Sequence, residues 1–99
     1  IVAADVTSAW HLCPVRVDAS IDRAEVFNAL RAEGLGVNVH YIPVHLHPYY
    51  RSRFGYRGGE FPIAETASGR LISLPMFHGM TDEDVDDVIF AVEKVMNYF

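Results

Sequence analysis

The sequence predicts an α+β domain, a small sheet of about three strands covered by helices. Three observations carry the prediction. Side chains in "AWHLCPVRVD" alternate with the two-residue period of a strand. Apolar residues recur at helical spacing in "SIDRAEVFNALRAEG". A long apolar stripe behind an acidic start runs through "MTDEDVDDVIFAVEKVMNYF".

The first element, Ala9 to Asp18, sets His11, Cys13, Val15 and Val17 against Leu12, Pro14 and Arg16. Proline has no N–H for a ladder, so Pro14 predicts an edge strand or a bulge. Ser20 is placed to cap the helix that follows, with Ile21, Ala24, Phe27 and Leu30 on its inner face and Gly34 as its left-handed stop. "LGVNVHYI" predicts a second strand, Val37, Val39 and Tyr41 opposite Asn38 and His40. "FPIAETASGRLI" predicts a helix with Pro62 in its first turn and Ile63, Ala64, Ala67 and Leu71 on one face. Gly69 weakens it by about 1 kcal/mol relative to alanine. "ISLPMF" is a short third strand. In the last helix Thr81 and Asp84 form a capping box, and Asp82, Glu83 and Asp84 sit at the positive end of the helix dipole. Val85, Val88, Ile89, Val92, Val95 and Met96 form its inner stripe, with Val88, Ile89 and Val92 expected in the core. The strand order is not legible.

Ninety-nine residues, 51% apolar and 21% charged, make one small globular domain. A net charge of -5 argues against general nucleic-acid binding. No apolar run reaches the roughly 18 residues of a membrane span, and there is no signal-peptide pattern. Cys13 is the only cysteine, which suits a reducing, cytoplasmic setting, and is expected as a small buried strand residue. The chain opens "IVAADVTSAW" without an initiator methionine, as a piece cut from a longer protein would.

One segment is not accounted for by helix and strand faces. Gly36 to Tyr56, "GVNVHYIPVHLHPYYRSRFGY", holds three histidines, four tyrosines and two arginines, and no carboxylate lies between Glu33 and Glu60. Three readings compete. His40, His45 and His47 have the spacing H-x4-H-x-H, but no nearby carboxylate or cysteine completes a zinc set. A structural loop would pack the tyrosines and solvate the histidines. A pocket for an anionic, ring-bearing ligand would use arginine forks on phosphate or carboxylate and tyrosine faces on apolar rings, with carboxylates excluded by repulsion.

"LRAEGLGVNVHYIPVHLHPYY", followed by "GEFPIAETASGRLISLPMFHGMTDEDVDDVIFAVEKV", resembles the C-terminal domain of the DegT/DnrJ/StrS aminotransferases. The resemblance runs from about Trp10 to Lys94 and rests on four parts in order. These are the "HYIPVH-x-x-PYY" segment, the "FP-x-AE" helix start, the "LISLPMF" strand and the "MT-x-x-D-x-x-x-V" helix. Cys13 and Gly69 depart from the family wording, where bulkier residues are usual.

The resemblance implies the small domain of a type I (aspartate aminotransferase) fold. It also implies a homodimeric parent that uses pyridoxal phosphate (PLP) and moves an amino group from glutamate to a nucleotide-linked 4-keto-6-deoxy sugar. Within the family the wording is most similar to the pseudaminic-acid branch, which acts on a UDP-linked sugar. The large domain of the family supplies the Schiff-base lysine, the aspartate under the pyridine nitrogen and the ring stacked on it. Here Lys94 is the only lysine, in the last turns of the final helix, so neither a catalytic residue nor bound PLP is expected in this chain. Its implied contribution is a wall of the substrate cleft: His40 and Tyr41 first, His45 next, then Tyr49, Tyr50 and Arg51 as sugar or pyrophosphate contacts. The alternative is a stand-alone ligand-binding or interaction module without transaminase activity.

Overall fold

The structure, a computed structural model, describes residues 3–99; Ile1 and Val2, the first residues of the opening stretch, lie outside them. Strand β1 (Cys13–Arg16) pairs antiparallel with β2 (Leu71–Leu74), Cys13 opposite Leu74 and Arg16 opposite Leu71. Pro14 faces Ser73. The N–H and C=O of Ser73 both turn away from it, to Asn38 at 2.8 and 3.1 Å. The missing proline N–H therefore costs the ladder nothing, and β1 is an edge, as its proline predicts.

The strand expected over "LGVNVHYI" shrinks to a single bridge, Asn38 to Ser73, while "ISLPMF" contributes to β2. Beyond it, side chains take over from the ladder. His40 Nδ1 hydrogen-bonds Ser73 Oγ at 2.9 Å, Ser68 Oγ donates to the Tyr41 carbonyl at 3.2 Å, and Pro43 offers no N–H. The sheet of the described residues is thus two-stranded.

Helix α1 (Arg23–Ala32) is capped by Asp22, whose carboxylate accepts the Ala24 N–H at 2.7 Å. Ser20 is not the cap. It belongs to the preceding turn, where Asp18 accepts its N–H at 2.9 Å and its hydroxyl at 2.8 Å. The helix stops as the glycine predicts. Gly34 has φ +87, its N–H reaches the Arg31 carbonyl, and the Leu35 N–H reaches that of Leu30, a Schellman closure.

The segment expected as a loop contains a 3₁₀ turn, Val44–Leu46, and a two-turn helix α2 (Pro48–Phe54) ended by Gly55 at φ +78. Helix α3 (Pro62–Arg70) leads directly into β2, and α4 (Asp82–Met96) closes the fold behind a complete capping box.

The core lies where α1 and α4 cover β2: Val17, Val26, Leu30, Val37, Ile72 and Val95, with Ile21, Phe27, Leu35, Leu74 and Val92 packed against it. Burying such side chains contributes about 1.5–3 kcal/mol each. Several expected faces are rotated. In α1, Val26 is buried and Ala24 is not. In α4, Ala91 and Val95 are the buried pair, while Ile89, expected inside, is 49% exposed. Of α4, Val95 joins the core cluster with Val92 packed against it, and the stripe's other edge turns outward. No residue of α3 is buried, and Ile63 is exposed. Cys13 is exposed too, because nothing covers the outer faces of β1.

Candidate functional site

Polar anchors at both ends position the aromatic segment. At its start His40 is tied to Ser73 on β2, and its ring lies 4.6 Å from that of Tyr41, which is largely exposed. At its middle the His47 Nε2–H donates to the Ile42 carbonyl at 3.2 Å, closing the 3₁₀ turn. The first turn of α2 then carries Tyr49, Tyr50 and Arg51 on the outside of the domain. Tyr49 and Tyr50 meet edge to face at 5.3 Å, and Tyr50 stacks on Phe54 at 6.0 Å. Neither Arg51 nor Arg53 forms an ion pair among the described residues.

His45 behaves differently from the other five candidates. It is buried, and its Nε2 lies 2.8 Å from Glu65 Oε1. A carboxylate only accepts, so the imidazole Nε2–H donates. The same carboxylate accepts the Gly59 N–H at 2.9 and 2.8 Å and the Phe61 N–H at 3.2 Å. The Gly59 amide first, and the His45 bond second, hold the Glu65 carboxyl below the usual carboxylate range. Glu60 is drawn in beside it, accepting the Arg57 and Gly58 amides at 2.8 Å, and the Arg57 amide above all lowers its carboxyl.

Sequence reasoning expected carboxylates to be kept away from this segment. The fold brings two back from downstream, and His45, Glu60 and Glu65 place ligand atoms within 4.8 Å of one another. Their lone pairs are engaged by backbone amides, which makes the cluster an internal tie. The signal for it was the pair Gly58–Gly59 ahead of "EFPIAE". Both glycines adopt positive φ, +104 and +94, a conformation that turns the Gly58 amide to Glu60 and the Gly59 amide to Glu65.

Next to this tie, Pro43, Val44, His45, Tyr50, Tyr56, Phe61 and Ala64 line an open cavity of about 370 Å³. His45, Tyr56 and Phe61 form its ring wall, with centroids 4.7 to 5.9 Å apart. The structure therefore collects two groups. His45, Tyr50, Tyr56 and Phe61 surround one cavity, Tyr49 and Arg51 extend from the same short helix, and His40 with Tyr41 stands at the edge of β2. The arrangement offers apolar ring faces, phenol hydroxyls and guanidinium forks, and it has no nucleophile poised against a base.

The sequence profile of the DegT/DnrJ/EryC1/StrS aminotransferase family matches residues 2–93, and the chain belongs to that family. Among relatives it is similar to the spore coat polysaccharide biosynthesis protein SpsC of Bacillus subtilis, 46% identical over 93% of this chain and 25% of that protein. It is also similar to the uncharacterised protein MJ1066 of Methanocaldococcus jannaschii, at 45% over 93% of this chain and 25% of that protein.

The solved aminotransferase TlmJ from Streptoalloteichus hindustanus superposes with a TM-score of 0.82 at 30% identity, over 99% of this chain and 25% of that one. Helicobacter pylori PseC, an aminotransferase involved in the biosynthesis of pseudoaminic acid, superposes at 0.72 with 22% identity, over 90% of this chain and 24% of that one. At that identity the likeness concerns the fold alone. The chain spans about a quarter of the length of each relative.

Aminotransferases of this family use PLP. Lys94, the only lysine, does not fit the Schiff-base role. Its ammonium lies 2.6 Å from Glu33 Oε2 at the surface between two helix ends, and of Ala29, Ala32, Val95 and Tyr98 beside it only the Tyr98 hydroxyl could donate to a phosphate.

Proposed function

We propose that this chain is the C-terminal small domain of a PLP-dependent sugar aminotransferase, which moves an amino group from glutamate to a nucleotide-linked 4-keto-6-deoxy sugar. The large PLP-binding domain and its lysine belong to the rest of the parent, a cytoplasmic homodimer. The domain contributes one wall of the substrate cleft and is inactive alone. What supports the reading is family membership, together with a segment that faces outward with rings and guanidiniums no core requires. Tyr41 is 63% and Tyr49 67% exposed, far more than tyrosines that serve packing alone.

In this reading His40 and Tyr41 hydrogen-bond the sugar, Tyr49 and Tyr50 cover rings, and Arg51 forks onto the pyrophosphate. His45 shapes the wall from behind. In the full-length parent, truncating His40 or Tyr41 to alanine is expected to cost about 1–3 kcal/mol, roughly ten- to hundredfold in kcat/KM. Arg51→Ala should raise KM for the nucleotide-sugar, weaken its salt dependence and leave glutamate kinetics alone. Titration with the nucleotide-sugar, followed by cofactor absorbance, separates these outcomes. Unchanged affinity in all three variants would make the segment a structural loop.

A further inference from the structure

We infer that Glu65 is a positioning residue for the aromatic cavity, holding its ring wall in register without touching the ligand. The inference rests on the nucleotide-sugar reading above and names what that site depends on. Helix α3 has no buried residue, so apolar packing does not fix it against the aromatic segment. Its attachments are polar: Ser68 to the Tyr41 carbonyl, the Arg70 Nε–H to the Val17 carbonyl at 2.8 Å, the Val17 N–H to the Arg70 carbonyl at 2.9 Å, the Arg23 Nε–H to the Gly69 carbonyl at 3.3 Å, and Glu65. Of these, only Glu65 reaches the cavity wall, and it does so from two directions. Through His45 it holds the 3₁₀ turn; through the Gly59 and Phe61 amides it holds the turn that presents the Phe61 ring.

Replacing the carboxylate by an amide would leave one weaker acceptor oxygen for three donors, the His45 ring and the Gly59 and Phe61 amides, and the His45, Tyr56 and Phe61 rings would lose their fixed spacing. Charge-assisted bonds of this kind are roughly twice as strong as neutral ones. A ring-binding cavity depends on sub-ångström placement of its walls, so the loss should appear in ligand affinity more than in turnover. Glu60 plays a lesser part, because its two amide partners lie within the turn itself.

The test uses the full-length protein, with UDP, dTDP, GDP and CDP as calorimetric probes. For whichever nucleotide the wild type binds, Glu65→Gln is expected to raise Kd tenfold or more. It should also speed exchange of the Gly59 and Phe61 amides by a similar factor, raise KM for the nucleotide-sugar, and leave kcat within about twofold. His45→Gln, which keeps the Gly59 and Phe61 bonds, should show a smaller rise in Kd and guards against a Glu65 variant that fails to fold. Unchanged Kd in either folded variant overturns the inference while leaving the nucleotide-sugar reading intact. A wild type that binds none of the four sinks that reading, and the inference with it. A zinc-induced rise in melting temperature that Glu65→Gln abolishes would assign the carboxylate to a metal and also overturn it.

Discussion

Ile72 and Phe61 are both large apolar residues close in sequence, yet Ile72 is 0% exposed and Phe61 45%. Ile72 sits on β2 beneath α1 and α4, where aliphatic side chains interlock and burial alone sets position. Phe61 packs its ring against His45 and Tyr56 of the aromatic segment, and position there is set by hydrogen bonds to Glu65 and Ser73. The radius of gyration of the fold is 16.0 Å, against roughly 13 Å for a compact chain of this length. The core decides whether the domain folds, and the polar ties decide how an otherwise unsupported set of rings is presented.

The comparison breaks most visibly at Ile72. Replacing it with alanine removes a fully enclosed side chain and should cost about 2–5 kcal/mol, a large share of the stability of a small domain. Ile72→Asp adds an unpaired buried charge and should abolish the cooperative thermal transition altogether. A clear melting transition in the aspartate variant would mean that the core does not lie over β2.

Thr81 gives the next largest effect, from a polar tie inside the core half. Its hydroxyl accepts the Asp84 N–H at 3.2 Å, and Asp84 accepts the Thr81 N–H at 2.8 Å and its hydroxyl at 2.7 Å. Thr81→Ala should cost about 1 kcal/mol, seen as a fall of roughly 4–8 °C in Tm. The Thr81 amide, then its hydroxyl, hold the Asp84 carboxyl below its ordinary value. A depressed folded value contributes stability above the unfolded carboxylate pKa of about 4 and loses it as pH falls further. The gap between wild type and Thr81→Ala should therefore stay constant from pH 5 to 8 and narrow below about pH 4. A gap that widens in acid would contradict the cap.

How much of this was legible in the sequence differs between the two regions for one physical reason. Local chemistry writes itself into adjacent residues. The Thr81–Asp84 box, the Gly34 stop and the edge position of Pro14 are all where their residue types demand. Burial of a helix face depends on how wide its partner is, and α1 covers less of α4 than the apolar stripe offers. The strand expected over "LGVNVHYI" stops at Asn38 because the Ser68 hydroxyl takes the Tyr41 carbonyl and Pro43 has no N–H to give a ladder. The tie through Glu65 was hidden for a different reason. Its donors are mostly backbone amides, which every residue carries, and only the paired glycines mark where they point.

Ile89 sharpens the comparison from the other side. A stripe read from the sequence alone puts it in the core, where an aspartate would unfold the domain. At 49% exposure, Ile89→Asp in this chain should instead shift stability by only about 0.5 kcal/mol. The same change in the full-length parent tests whether another surface covers this edge of α4. Unfolding of the short chain by Ile89→Asp would show that α4 is rotated from the orientation described.

A comparably small effect is expected at Lys94. Its ion pair with Glu33 joins two side chains that are 56% and 31% exposed, and pairs of that kind contribute about 0.2–1 kcal/mol because water screens them and both side chains lose freedom. Lys94→Ala should therefore lower Tm by no more than a few degrees, less so at high salt. The same residue separates the small domain from the chemistry of its parent. A surface ammonium facing a carboxylate has neither the dry pocket nor the activating neighbours that a Schiff-base lysine requires. Incubation of this chain with PLP, borohydride reduction and mass analysis should leave Lys94 unmodified at stoichiometric cofactor. In the full-length parent, Lys94→Ala should leave cofactor loading as in the wild type. A stoichiometric pyridoxyl adduct on Lys94 would place the cofactor on this domain, and the division of labour proposed between the chain and the rest of its parent would fall.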